Sequence, residues 1–251
     1  MQLFAFPAQI YGIALVFMRV GGVLMQMPGI GEAFTPVRIR LGFAILLSVC
    51  VAPVVQPTLA VLPASVGEIG GQMLGELVIG LMLGALMRML LSALAIMGEV
   101  VSIQTTLAFA QTANPLQADP GAALSSFLTL LGLTIIFATN LDHSFLLAIV
   151  HSYSLFTPAK HMLIQDAATL AIHTISACFA LGIQLAAPVI VFALTIQFAT
   201  GLVGRVMPQF QIFFATTPLA VLLGLSVFTL SLGGGIMVWL RHYGEFLQQF
   251  T

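Results

Sequence analysis

Charge is what this sequence has least of. Lysine, arginine, aspartate and glutamate together make up 6% of its 251 residues, whereas a soluble globular domain carries roughly a quarter. With 60% of residues hydrophobic, the chain cannot cover its surface with solvated groups. Its surroundings are therefore lipid, other apolar protein, or both. The net charge is −1 and no basic run exists, which excludes nucleic acid as a partner because phosphates have nothing to bind. Cysteine is nearly absent. Cys50 and Cys178 both stand inside apolar stretches without metal-ligand spacing, so they are expected to be buried, inert thiols. No basic residue precedes the first apolar run, and the first one, Arg19, lies inside it. That segment is expected to stay as a membrane helix rather than serve as a cleaved signal. The sequence also lacks a His-Glu-x-x-His helix, a Gly-x-Ser-x-Gly elbow and a phosphate-binding loop, leaving little support for an enzyme.

What the chain does have is six apolar blocks, at about 8–27, 41–62, 69–97, 122–151, 167–204 and 206–240. Backbone groups in lipid must be satisfied internally, so only helices or closed barrels can span a bilayer. These blocks are too long and continuous for alternating barrel strands. The expected fold is all-α, with long, kinked apolar helices in membrane-type hairpins, and residues 1–251 read as a single domain. The last two blocks run without charge for far longer than the ~20 residues that cross a hydrocarbon core. Tilt absorbs part of that excess, and Pro188 and Pro218 offer kinks. The remainder implies apolar helix surface outside the bilayer, covered by other subunits of a large assembly.

Several residues invite closer reading. Gly71 with Gly75, and Gly80 with Gly84, form two GxxxG pairs in the third block. Such spacing lets helix backbones approach closely, although glycine is common in membrane helices generally. Arg19 either snorkels to an interface or enters a pore-facing or intersubunit ion pair. Glu68, Glu76 and Glu99 are spread along one helix and do not read as a close carboxylate pair. His143 and His151 lie two turns apart beside Asp142. His161 and His173 add no ligand spacing, so His143 reads as an interfacial or hydrogen-bonded histidine rather than a metal ligand. Gly233–Gly235 late in the last block admit a hinge, a helix end or close packing. Arg38, Arg40 and Arg205 fall opposite Lys160 and Arg241, a balance that does not fix orientation.

The longest polar interruption is "FAQTANPLQADPG", residues 109–121. Pro115 and Pro120 block helix continuation there, and its polar side chains suit a wet lumen better than lipid. A joint longer than about 12 residues inside a packed domain is usually functional or disordered.

"GEVVSIQTTLAFAQTANPLQADPG" resembles the central segment of the FliR family of flagellar export proteins, whose relatives serve in virulence type III secretion. The resemblance rests there on Gly98, Glu99, Gln104, Asp119 and Pro120, and continues through "FATNLDHSFLLAIVHSYSLFTP" with His143 and Pro158. It extends to "GRVMPQFQIFFATTP" with Arg205, Pro208, Gln209, Phe213 and Pro218, and includes the early "TPVRIRLGFAILLSVCVAP". In order and spacing it covers about residues 10–240. Asp142, Thr217 and the threonines of "QTTLAFAQTANP" depart from the family's usual glycines and Met-Gly. The resemblance implies a non-enzymatic subunit without cofactor or metal. It would join homologues of FliP and FliQ in a helical export gate at the base of the bacterial flagellum, in the inner membrane. FlhB homologues would dock on that gate, and unfolded substrates would pass through it under power supplied by other components. Much of such a gate stands out of the bilayer plane. The resemblance also implies that residues 106–121 form a pore-lining plug, with Phe109 and Leu116 obstructing and Gln111, Asn114 and Gln117 facing water or neighbouring loops. An ordinary surface loop is the alternative at this point. At the level of the whole protein, an autonomous transporter would show two related halves and midplane charges, and a membrane enzyme would need a His/Glu or Asp constellation. Neither is evident in the sequence.

Overall fold

The computed structural model describes residues 5–58, 62–63, 65–107, 122–156, 164–206 and 212–248. Among the described residues there is no strand. The helices are α1 (Ala5–Gln26), α2 (Val37–Val55), α3 (Val66–Gln104), α4 (Ala122–Ala138), α5 (Leu141–Leu155), α6 (Ile164–Val206) and α7 (Ile212–Gln248), with a 3-10 turn at Gln56–Thr58. Proline sets several boundaries. Pro36 caps the start of α2, and Pro53 and Pro57 bring it to its end. No proline occurs between Pro63 and Pro115, and α3 accordingly runs unbroken for 39 residues. Pro188 and Pro218 lie inside α6 and α7 without ending them. α7 also continues through Gly233–Gly235 to Gln248, so the glycine triplet does not end the helix.

The fourth apolar block is divided. α4 and α5 meet at Thr139–Asn140 with a bend of 77°. Asn140 adopts the left-handed region at φ 57°, a conformation that asparagine tolerates far better than branched side chains. The apolar block 122–151 is thus two helices joined by a sharp bend. The polar run Thr139-Asn140-Leu141-Asp142-His143 supplies the turn that block composition alone obscured.

The chain forms two compact units. One comprises Met1–Leu90, Ile136–Thr174 and Gly244–Thr251, and the other Leu91–Ile135 and Ile175–Tyr243. In the first, α1 is the central helix: Leu15, Val16, Val20, Val23 and Leu24 are fully buried, with Leu86 and Met87 of α3 and Phe145, Ile149 and Tyr153 of α5 also buried. In the second, Leu94, Met97, Val101, Leu128, Ala186, Val189 and Trp239 form the core. Trp239 and Tyr243 pack ring to ring at 5.2 Å between centroids. Gly132 of α4 gives room there to Leu94, Leu91 and Trp239.

Among the described residues, five helices are long and apolar enough to cross a membrane, or six spans if the bent α4–α5 pair counts as one. α1 and α2, at 22 and 19 residues, measure about 33 and 29 Å, close to one hydrocarbon thickness. α3, α6 and α7, at 39, 43 and 37 residues, measure about 58, 65 and 56 Å. In α6 and α7 most of the apolar window is uncovered by the chain itself. Only 11% of the apolar window of α7 is buried, against 56% for α3. Leu219, Leu222, Leu230 and Met237 are among the exposed side chains of α7. Cys178 is buried as expected, whereas Cys50 is exposed on α2. An apolar sequence context reports burial against protein only when the helix has protein on that side, and α2 has little.

Candidate functional site

The polar centre of the first unit begins with three glycines. α1 and α3 run parallel, with Tyr11 hydrogen-bonded to Gln72, Arg19 to Glu76 and Glu32 near Arg88. Their backbones touch. A Cβ on Gly84 would lie 2.6 Å from the Val23 carbonyl oxygen, and one on Gly22 2.9 Å from that of Leu77. A Cβ on Gly80 would collide with the carbonyl of Arg19. At Gly71 and Gly75 an added Cβ would meet nothing within 4 Å. The second GxxxG pair thus faces α1 and the first does not. Gly80→Val should abolish the α1–α3 approach, because the nearest atoms are backbone and cannot swing aside. Loss of folded protein from detergent extracts checks this, with Gly75→Val, at an open position, expected to be tolerated.

That close approach carries Arg19 into a fully enclosed position, with 0% exposure. Its Nε donates to Glu76 Oε2 at 2.5 Å and one terminal nitrogen to Glu76 Oε1 at 3.0 Å. The same terminal nitrogen donates to the Phe156 carbonyl at 2.8 Å. The other donates to the Ser152 carbonyl at 2.9 Å and its hydroxyl at 3.2 Å. These five bonds match the five N–H donors of a guanidinium. The Tyr153 ring covers the group at 3.9 Å. Arg19 therefore caps the C-terminal carbonyls of α5 from another helix, where a cation also suits the helix dipole, while Glu76 neutralises it. Neither snorkelling nor an intersubunit pair describes Arg19. Its partner is the lone mid-helix glutamate of α3, which sequence spacing did not single out.

In the second unit, α3 and α4 form an antiparallel hairpin. Gly98 rests on the backbone of Ser125, where a Cβ would lie 2.6 Å from Ser125 Cα. Glu99 beside it is exposed, and Gln104, half-buried, ends the helix. Thr105 is buried and donates to the Val101 carbonyl at 2.8 Å, while its methyl sits against Gly224 of α7. Thr106 then turns the chain at φ 57°, a strained value for a β-branched residue. The hydroxyls of Ser102 and Thr106 are buried and have no hydrogen-bond partner among the described residues.

The sequence between Leu107 and Ala122 joins the two ends of this hairpin. The plug candidates Phe109, Gln111, Asn114, Leu116 and Gln117, with Asp119 and Pro120, lie outside the described residues, as do Pro158, Pro208 and Gln209. His143 is exposed at the start of α5, its Nδ1 3.4 Å from Asp142 Oδ1. Arg205 is exposed in the last turn of α6, Phe213 lies in the first turn of α7, and Pro218 is exposed on α7. Among the described residues no group of three His, Cys, Asp or Glu side chains could hold a metal ion.

Residues 10–246 match the family model described as bacterial export proteins, family 1. The chain is similar to the flagellar biosynthetic protein FliR of Caulobacter vibrioides, at 50% identity over 251 residues and the full length of both chains. It is similar to the protein of that name from Aquifex aeolicus, at 27% identity over 95% of this chain and 92% of the relative. The Escherichia coli protein of that name is 28% identical over 84% of this chain and 80% of the relative.

Proposed function

The chain belongs to the family of bacterial export proteins that includes FliR, and from that membership we propose that it is a non-enzymatic core subunit of a flagellar protein-export gate. It works as one export-gate domain over residues 1–251, in the inner membrane at the flagellar base. With homologues of FliP and FliQ it surrounds a passage for unfolded flagellar proteins, and a homologue of FlhB docks on the finished gate. Residues 106–121 close that passage as a plug.

The observation that carries this reading is the mismatch between helix length and cover. α6 and α7 measure roughly twice a hydrocarbon thickness, yet α7 buries little of itself. Other apolar helices must finish these surfaces. The Arg19 cluster weighs against an autonomous transporter, whose midplane charges hold substrate or coupling ion. The Arg19 donors here are all occupied within the chain. The plug reading draws support from connection length, because helix hairpins close with about 2–8 residues and the joint after Leu107 is longer.

Co-expression with the FliP and FliQ homologues of the same bacterium tests the assembly. A single detergent-stable complex containing all three is expected, and the chain alone should be poorly soluble. A monodisperse, helical chain that ignores both homologues would overturn the proposal.

A further inference from the structure

In the second unit, α3 stops without a local reason to stop. The residue that follows a helix in the left-handed region is usually glycine or asparagine. Neither occurs between Gly98 and Asn114, and no proline occurs before Pro115. The residue that turns the chain is Thr106, at φ 57°, a conformation poorly suited to a β-branched side chain. Asparagine and aspartate can offset that cost with a local hydrogen bond, but the Thr106 hydroxyl has no partner among the described residues. The turn keeps one local backbone bond, from the Thr106 N–H to the Ile103 carbonyl at 3.2 Å. Left to its own propensities, this end of α3 would carry the helix through Thr106. Strained backbone persists where the surroundings over-determine it.

Here the surroundings are α6 and α7. Thr105 is 2% exposed. Its rotamer is held by the hydroxyl bond to the Val101 carbonyl at 2.8 Å and by its β-branching. Its methyl fills the notch left by Gly224 of α7, where a Cβ would lie 2.5 Å from that methyl and 3.3 Å from Thr105 Cβ. Phe192 of α6 borders the same notch, 3.9 Å from that point. Gly224 is one of the few buried positions on α7. Pro218, less than two turns earlier, removes a hydrogen bond from the α7 ladder, which makes this part of α7 a place where the helix bends at low cost. We propose that Gly224 is a positioning residue: by seating the Thr105 methyl, α7 holds Thr106 in its strained turn and so fixes where the joint leaves α3. The placement of α7, the helix that other subunits are to cover, is thereby coupled to closure of the passage. The coupling to closure rests on the plug reading, whereas the seating of Thr105 does not.

Hydrogen exchange at the amides of residues 105 and 106, measured in the full complex, tests the seating. Gly224→Ala should raise exchange at both amides about tenfold, because the added methyl takes the place of the Thr105 methyl. Two second changes should reverse this by different routes. Thr105→Ser removes the displaced methyl, and Thr106→Gly makes the turn independent of α7, since glycine adopts positive φ without strain. Thr106→Gly alone needs no repacking and should slow exchange about fivefold. Exchange no slower than in the unmodified complex would mean that Thr106 stores no strain, and would overturn the proposal. So would unchanged exchange in Gly224→Ala, or a Gly224→Ala defect that Thr105→Ser leaves in place. In vesicles, Gly224→Ala should leak ions and the added Thr106→Gly should reseal the gate. Faster exchange in a Gly224→Ala gate that stays tight, where deletion of Gln111–Pro115 leaks, would overturn the coupling to closure. A deletion that also stays tight would instead defeat the plug reading and leave the seating of Thr105 standing.

Discussion

Replacing Arg19 with methionine should destabilise the first unit by roughly 3–5 kcal/mol, the usual consequence of leaving one member of a buried pair behind. Glu76 would then hold an enclosed carboxylate without a counter-ion, and the last carbonyls of α5 would lose their donors. Arg19→Lys should recover little, because a lysine has three donors and no planar fork to reach Glu76, Ser152 and Phe156 together. The double change Arg19→Met with Glu76→Met should recover most of the loss in α1–α3 packing, since a pair of charges is often replaceable by apolar side chains of similar volume. Denaturant unfolding of the detergent-solubilised complex, followed by far-ultraviolet circular dichroism, measures all three. Normal stability of Arg19→Met would mean that the five hydrogen bonds do not hold this unit together.

Deleting Gln111–Pro115 should convert a tight gate into a leaking one. The deletion shortens the joint between α3 and α4 while leaving both helices long enough to pack through Gly98 and Ser125. Assembly should therefore survive, and the loss should be confined to closure. Apolar side chains at a constriction exclude water and with it ions, so Phe109→Ala with Leu116→Ala should leak as well, though less. Ion flux into vesicles carrying the purified complex reads this directly. A deletion that assembles and stays tight would return the joint to the status of a surface loop.

The sequence foretold the helical class and the surplus length because both follow from composition and from where proline is missing. The unbroken span from Pro63 to Pro115 is α3 almost by default. The break at Asn140 was harder to see. Thr139 and Asn140 are only two residues in an apolar block, and whether asparagine turns the chain or rides on the helix depends on what surrounds it. The Arg19–Glu76 pair was hidden for another reason. Each residue is costly alone in an apolar helix, and together they are neutral, but 57 positions separate them. The parallel register of α1 and α3, set by Gly22, Gly80 and Gly84, had to be known first. One signal was partial: the lone arginine of α1 needs a carboxylate, but α3 offers Glu68, Glu76 and Glu99. Of the two GxxxG pairs, spacing could not tell which one faces α1. That choice is made by the neighbour, not by the glycines.

The central claim is that the long helices outrun the lipid and are completed by other subunits. Spin labels placed singly at exposed positions along α7, from Leu219 to Met237 and on toward Gln248, test it in membranes holding the whole complex. Oxygen and a water-soluble nickel chelate report lipid and water contact at each site. Oxygen access should be limited to a stretch of no more than about 20 residues, with other apolar sites shielded from both reagents by protein. Lipid or water access at every site, with none shielded from both, would contradict the account.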